Sequence, residues 1–164
     1  MKLILIRHGR PDEADATRPH DPPLSADGWR QARAAAALLA TEGVTGIVAS
    51  PLLRARQTAR PLAERLGLDI ETIADPEAFR AAVIGALTAT AARAPRDGRI
   101  AVFTHGLPIN VVLAHALGLD SITHFLVGYG SVTRVRARDD GGYGVSSINE
   151  TGHHRFDIMR TATA

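Results

Sequence analysis

Three short apolar stretches, Lys2 to Ile6, Thr45 to Ala49 and Arg99 to Thr104, are each followed by a segment with helical signals. Runs of this length fit strands buried on both faces. Ser25 offers an N-cap with Asp27 in the first turn; Trp29, Ala32, Ala36 and Leu39 recur at helical spacing, and Gly43 lies just past the end. Ser50 and Pro51 supply a second start, a cap followed by proline at the first helical position, for a helix that should stop at Gly67. Pro61 lies inside it, and its missing N–H and ring clash predict a kink or break near Arg60. Ile70 to Ile73 fits a short strand. Pro76 to Arg93 reads as a helix from its alanine content and the spacing of Phe79, Val83 and Leu87, and Pro108 to Leu117 as another ending at Gly118. Ser131 to Ala137 alternates, with Arg134, Arg136 and Arg138 on one face; Gly141 and Gly142 make a turn, and Tyr143 to Ile148 returns as a strand. Strand and helix alternate for most of the length. That predicts an α/β fold of three layers, α/β/α, around a mostly parallel sheet.

The chain of 164 residues is sized for one domain, with residues 160–164 expected as a loose tail. It contains no cysteine, which excludes disulfides, cysteine nucleophiles and thiolate metal sites. Apolar residues at 45% and charged residues at 22% match an ordinary globule. No apolar run approaches the roughly 20 residues of a membrane span, and the run before Arg7 is too short for a signal peptide. The expectation is a cytoplasmic protein with no membrane partner. The net charge of +2 is spread over scattered arginines, and aromatics are only 4% of the chain. That is too few for a base-stacking surface, so no nucleic-acid partner is expected.

In open α/β sheets, ligands bind at the carboxyl ends of the strands. The first strand ends in Arg7-His8-Gly9, the second in Ser50-Pro51 with Arg54 one turn further, and the third in Thr104-His105-Gly106. Two arginines and two histidines thus converge on one edge. Such a cluster of potential cations repels itself unless an anion joins it. A phosphate dianion is the simplest anion, because guanidinium forks match its oxygens. A neutral imidazole is nucleophilic near neutral pH and can become a phosphohistidine. His8, beside Arg7 on an exposed turn, is the expected nucleophile. Gly9 gives the backbone room to approach the phosphate, and protonated His105 stabilises charge on its oxygens. An acid must still protonate the leaving oxygen; the nearest candidates are Asp75 and Glu77.

Other polar residues receive ordinary readings. His20, His115 and His124 read as plain polar side chains, and the pair His153-His154 lacks a carboxylate at metal-ligand spacing, so no metal is expected. Asp12, Glu13 and Asp15 form a solvated acidic loop. Thr58 is expected to pack and Gln57 to face solvent.

Taken together, these segments resemble the histidine phosphatase superfamily, which includes phosphoglycerate mutases and small bacterial phosphatases. The likeness rests on Leu3-Ile4-Leu5-Ile6-Arg7-His8-Gly9, on Pro23 to Ala32, on Ser50 to Ala59 and on Val102 to Ile109, in the family's order. Ile148 to His153 also looks like the family's last strand and the segment after it. The resemblance implies a phosphoglycerate mutase-like fold, phosphorylation on His8, a phosphate pocket of Arg7, Arg54 and His105, and no cofactor. His153 falls where relatives often carry a late histidine.

Two departures stand out. About thirty residues separate Asp69 from Arg99, where larger relatives carry a long insertion with an acidic residue. Glu77 is therefore the first choice of proton donor and Asp75 the second. A phosphohistidine substrate, whose leaving group is easier to expel, would fit a missing donor. Arg10 stands where many relatives have glutamate, which favours an anionic substrate.

The reading is a metal-independent phosphatase acting on a phosphorylated small molecule or a phosphoprotein. The rivals are a phosphoglycerate mutase-type phosphotransferase and a catalytically weak phosphate-binding regulatory protein.

Overall fold

The computed structural model describes residues 1–72, 79–95, 97–138 and 140–154. Its sheet has six strands, β1 (Lys2–Arg7), β2 (Gly46–Ala49), β3 (Ile70–Thr72), β4 (Arg99–Thr104), β5 (Val132–Ala137) and β6 (Tyr143–Glu150). The spatial order is β3-β2-β4-β1-β5-β6. The first four in that order run parallel, whereas β5 and β6 run antiparallel to their neighbours. The apolar runs are buried on both faces, as a sheet covered by helices requires. Alternate residues feed two cores. Ile4, Ile6, Ala101 and Phe103 pack with α1 (Ala26–Leu39) and α2 (Leu53–Leu66). Leu3, Leu5, Ile100 and Val102 pack with α3 (Phe79–Arg93) and α4 (Gly106–Leu117). This is the expected three-layer α/β/α arrangement.

Ser25 caps α1, its Oγ accepting from Gly28 N at 3.1 Å. The second helix differs from expectation at both points raised by its sequence. Its N-cap is Leu52 rather than Ser50, and Leu52 makes no side-chain cap bond. The carboxylate of Asp21 supplies the acceptor instead, taking Leu53 N at 2.8 and 3.1 Å. The helix also runs through Pro61 without a break. Ala59 and Leu62 flank that proline and are fully buried, so their packing outweighs the roughly 3 kcal/mol that an interior proline costs.

Elsewhere the elements begin or end within a few residues of expectation, α4 starting two residues early at Gly106. Arg138 lies beyond β5. Arg134 is half-buried, paired with Glu150 and, at 2.5 Å, with Glu42. The expected start of α3 at Pro76, the two candidate acids Asp75 and Glu77, and the tail at 160–164 lie outside the described residues. No described helix is long and apolar enough to cross a membrane.

Candidate active site

The parallel register places Arg7 beside Thr104, so the ends of β1 and β4 are level. Backbone bonds then fix the turns beyond them: His8 N donates to Thr104 O at 2.9 Å and Ser50 N to Phe103 O at 3.0 Å. The chain leaves β1 by passing against α1 so closely that neither partner tolerates a side chain. A Cβ on Gly9 would sit 2.5 Å from Gly28 O, and one on Gly28 would sit 2.2 Å from Arg10 O. The close approach that demands a glycine at position 9 is thus to α1. Its N–H donates to Thr58 Oγ1 at 3.0 Å, and the same hydroxyl donates to Arg54 O at 2.7 Å. Thr58 therefore does more than pack: it joins the turn carrying His8 to the helix carrying Arg54. Gln57, expected to face solvent, is half-buried and accepts from Leu24 N at 2.7 Å.

Arg7, His8, Arg54 and His105 line one open cleft of about 570 Å³. The rings of His8 and His105 lie 5.0 Å apart. His8 is buried, and its Nδ1 meets Gly9 O at 2.8 Å. A carbonyl oxygen only accepts, so Nδ1 carries the hydrogen and Nε2 keeps its lone pair. Burial pushes the His8 pKa down to about 3, and the positive potential of His105, Arg54 and Arg7 adds to the effect against the Gly9 bond. His105 is pushed down to about 4 by burial and then by the same two arginines. With no anion bound, both imidazoles are neutral at pH 7. His105 Nε2 lies 2.8 Å from Ser50 Oγ.

Each arginine is held by contacts the sequence did not reveal. Arg7 donates through Nη1 to Val127 O and lies over the Tyr129 ring, 3.9 Å from its centroid. Burial lowers its pKa, and Tyr129 opposes that. Arg7 Nε is enclosed and makes no hydrogen bond. Arg54 sits at the start of α2 with Nη1 3.5 Å from Asp21 Oδ1. Asp21 thus both caps that helix and flanks its arginine. Tyr129 also lies against His8, with ring centroids 5.5 Å apart. Gly130 N then bonds to Arg7 O and His8 O, both at 3.1 Å. His153 is buried and reaches the same turn, Nε2 donating to Gly130 O at 3.0 Å. His20, His115 and His124 are exposed and do not line the cleft, although the His124 ring lies edge-on to the Phe125 ring in its wall.

The structure is thus a two-core α/β/α sandwich that gathers two imidazoles and two guanidiniums at the carboxyl edge of its sheet. The chain belongs to the histidine phosphatase superfamily (branch 1), whose family profile matches residues 3–77 and 73–151. Over 79 residues the chain is 42% identical to a curated relative, "Probable phosphoglycerate mutase GpmB" of Enterobacter sp. (strain 638); the match covers 46% of this chain and 36% of that one. The match thus spans about a third of that relative. The fold is similar to a phosphoglycerate mutase from Bacillus anthracis str. Sterne, with TM-score 0.80, 19% identity and 96% of each chain covered. It is also similar to a phosphoserine phosphatase from Entamoeba histolytica, with TM-score 0.76, 20% identity and coverage of 93% of this chain and 98% of the other.

Proposed function

We propose that this chain is a metal-independent phosphatase that works through a phosphohistidine on His8. The observation that carries the reading is the His8 ring, oriented by its Nδ1 bond to Gly9 O, among Arg7, Arg54 and His105 in one cleft. The arginines and His105 hold the phosphate oxygens, and the dianion favours protonated His105 once it enters. His8 Nε2 attacks phosphorus in line. The N–P bond forms as the ester P–O bond breaks, and the leaving oxygen takes a proton from an acid, Glu77 or Asp75 by sequence. Water then attacks phosphorus, the N–P bond breaks, and inorganic phosphate leaves with the proton returned to the acid. Neutral His8 needs no activating base.

The test is hydrolysis of a chromogenic phosphomonoester in chelator by wild type and His8→Ala. Loss of turnover in the variant, with a phosphorylated His8 trapped by mass spectrometry in wild type, supports the reading. Equal rates end it. Arg7→Ala and Arg54→Ala should each lower kcat/KM by roughly 10²-fold or more.

The likeness to phosphoglycerate mutases in sequence and fold favours one second reading, a phosphotransferase that returns the phosphoryl group to its product. Isomerisation of a phosphoglycerate by purified protein, faster than its hydrolysis, would support it. The short stretch between Asp69 and Arg99 argues against it, since a mutase must retain its intermediate in a closed site.

A further inference from the structure

We infer that the mouth of this cleft selects phosphomonoesters with an apolar leaving group over those bearing hydroxyls or carboxylates. The inference rests on the phosphatase reading and concerns what lies outward from the phosphate. The wall opposite α2 is built by the start of α4 and by the loop between α4 and β5: Leu107, Asn110, Thr123, Phe125, Leu126 and Val127. Leu126 is 95% exposed and Leu107 44%. Of the three large hydrophobics exposed among the described residues, two therefore stand at this one opening.

An exposed leucine on a loose loop would mean little, but this loop is pinned on both sides of Leu126. Asn110 Nδ2 donates to Phe125 O and Asn110 Oδ1 accepts from Phe125 N, both at 2.8 Å. Val127 O accepts from Arg7, and Gly128 N donates to Asn149 Oδ1 at 2.7 Å. The same bonds engage most of the side-chain polar groups of the wall. Asn110 spends its amide on Phe125 and on Gly106 O, at 3.0 Å, and Thr123 pairs its hydroxyl with Ser121. A carboxylate or polyol pressed against this wall would lose water and find few partners, which is costly. An alkyl or aryl group there would cover the leucines and gain from it. The cationic floor fixes the phosphate, so this discrimination falls on the leaving group alone.

The experiment measures kcat/KM for ethyl, butyl and hexyl phosphate. Their leaving groups have nearly equal acidity, so a trend reads contact rather than bond strength. Glucose 6-phosphate, 3-phosphoglycerate and a phosphoserine peptide complete the series. A rise of about two- to fourfold per methylene is expected, with both polar small esters slower than butyl phosphate. Leu126→Ser and Leu107→Ser, each checked for an unchanged melting profile, should each cut the hexyl-to-ethyl ratio by about threefold or more. A flat alkyl trend with active enzyme overturns the substrate class and leaves the phosphatase reading standing. So does a flat trend with fast peptide turnover that Leu126→Ser abolishes, which assigns the leucines to a protein partner. A dimer in sedimentation that Leu126→Ser dissolves, with no alkyl trend, assigns them to a second copy and also overturns it. Hydrolysis of no ester in the series overturns both readings.

Discussion

The hydroxyl of Thr58, fully buried on α2, accepts a hydrogen bond from Gly9 N at 3.0 Å and donates one to Arg54 O. It ties the backbone beside His8 to the helix that presents Arg54. Thr58→Val keeps the shape and removes both bonds. It leaves the Gly9 N–H buried and unpaired, which costs about 1–3 kcal/mol. The expected outcome is a lower denaturant midpoint together with a several-fold loss in kcat, whereas Thr58→Ser restores most of both. A Thr58→Val protein with wild-type kcat would show that the tie does not position His8.

Neutral imidazoles give the apo protein a defined response to acid. His8 and His105 have folded pKa values of about 3 and about 4, both below the ordinary value of 6.5. Between those limits the unfolded chain holds more protons than the folded one. Stability from these groups is therefore intact above pH 6.5 and falls as the pH drops toward 4, by at most roughly 1.4 kcal/mol per pH unit for each histidine. Urea midpoints in phosphate-free buffer should fall from pH 7 to pH 5, and less steeply in His8→Gln. Nitrogen-15 spectra should show the His8 ring still neutral at pH 5.

Asp21 separates two functions by charge. Asparagine accepts cap bonds as well as aspartate does. Asp21→Ala should cost about 0.5–2 kcal/mol in thermal denaturation, because Leu53 N loses its acceptor. Asp21→Asn should keep most of that stability and instead change KM, since only the charge beside Arg54 is lost.

Tyr129 should act through its ring. Arg7 lies 3.9 Å from the ring centroid, and a contact of this kind contributes about 0.5–2 kcal/mol. Tyr129→Leu should weaken vanadate binding, followed calorimetrically, by about 2- to 30-fold, with Tyr129→Phe much closer to wild type. Equal affinity in all three proteins would remove the ring from the phosphate site.

The strand ends were legible because a buried strand is a simple pattern. β4 matches its apolar run at both ends, and the sheet edge rule then brought Arg7, His8, Arg54 and His105 together. What escaped the sequence came from distant partners. Nothing near Leu52 says that Asp21, more than thirty residues earlier, will cap α2, so Ser50 looked like the cap. Pro61 looked disruptive because local propensity weighs nothing of the core that Ala59 and Leu62 fill. Tyr129 carries no motif; only the turn at Gly130, with φ of 67°, aims it back across the end of β1. Thr58 looked like filler because one of its two partners, Gly9 N, lies at a different strand's exit.

The stem between Gly9 and Gly28 has an engineering consequence. Pro11 pairs with Leu24, Asp12 N donates to Pro23 O, and Ser25 grips Arg10 O, so both legs of this excursion are fastened near its base. Its tip, Ala16 to His20, is exposed on every residue. A reporter peptide spliced between Ala16 and Thr17 would hang from anchored legs, a graft point that leaves the fastening below it intact.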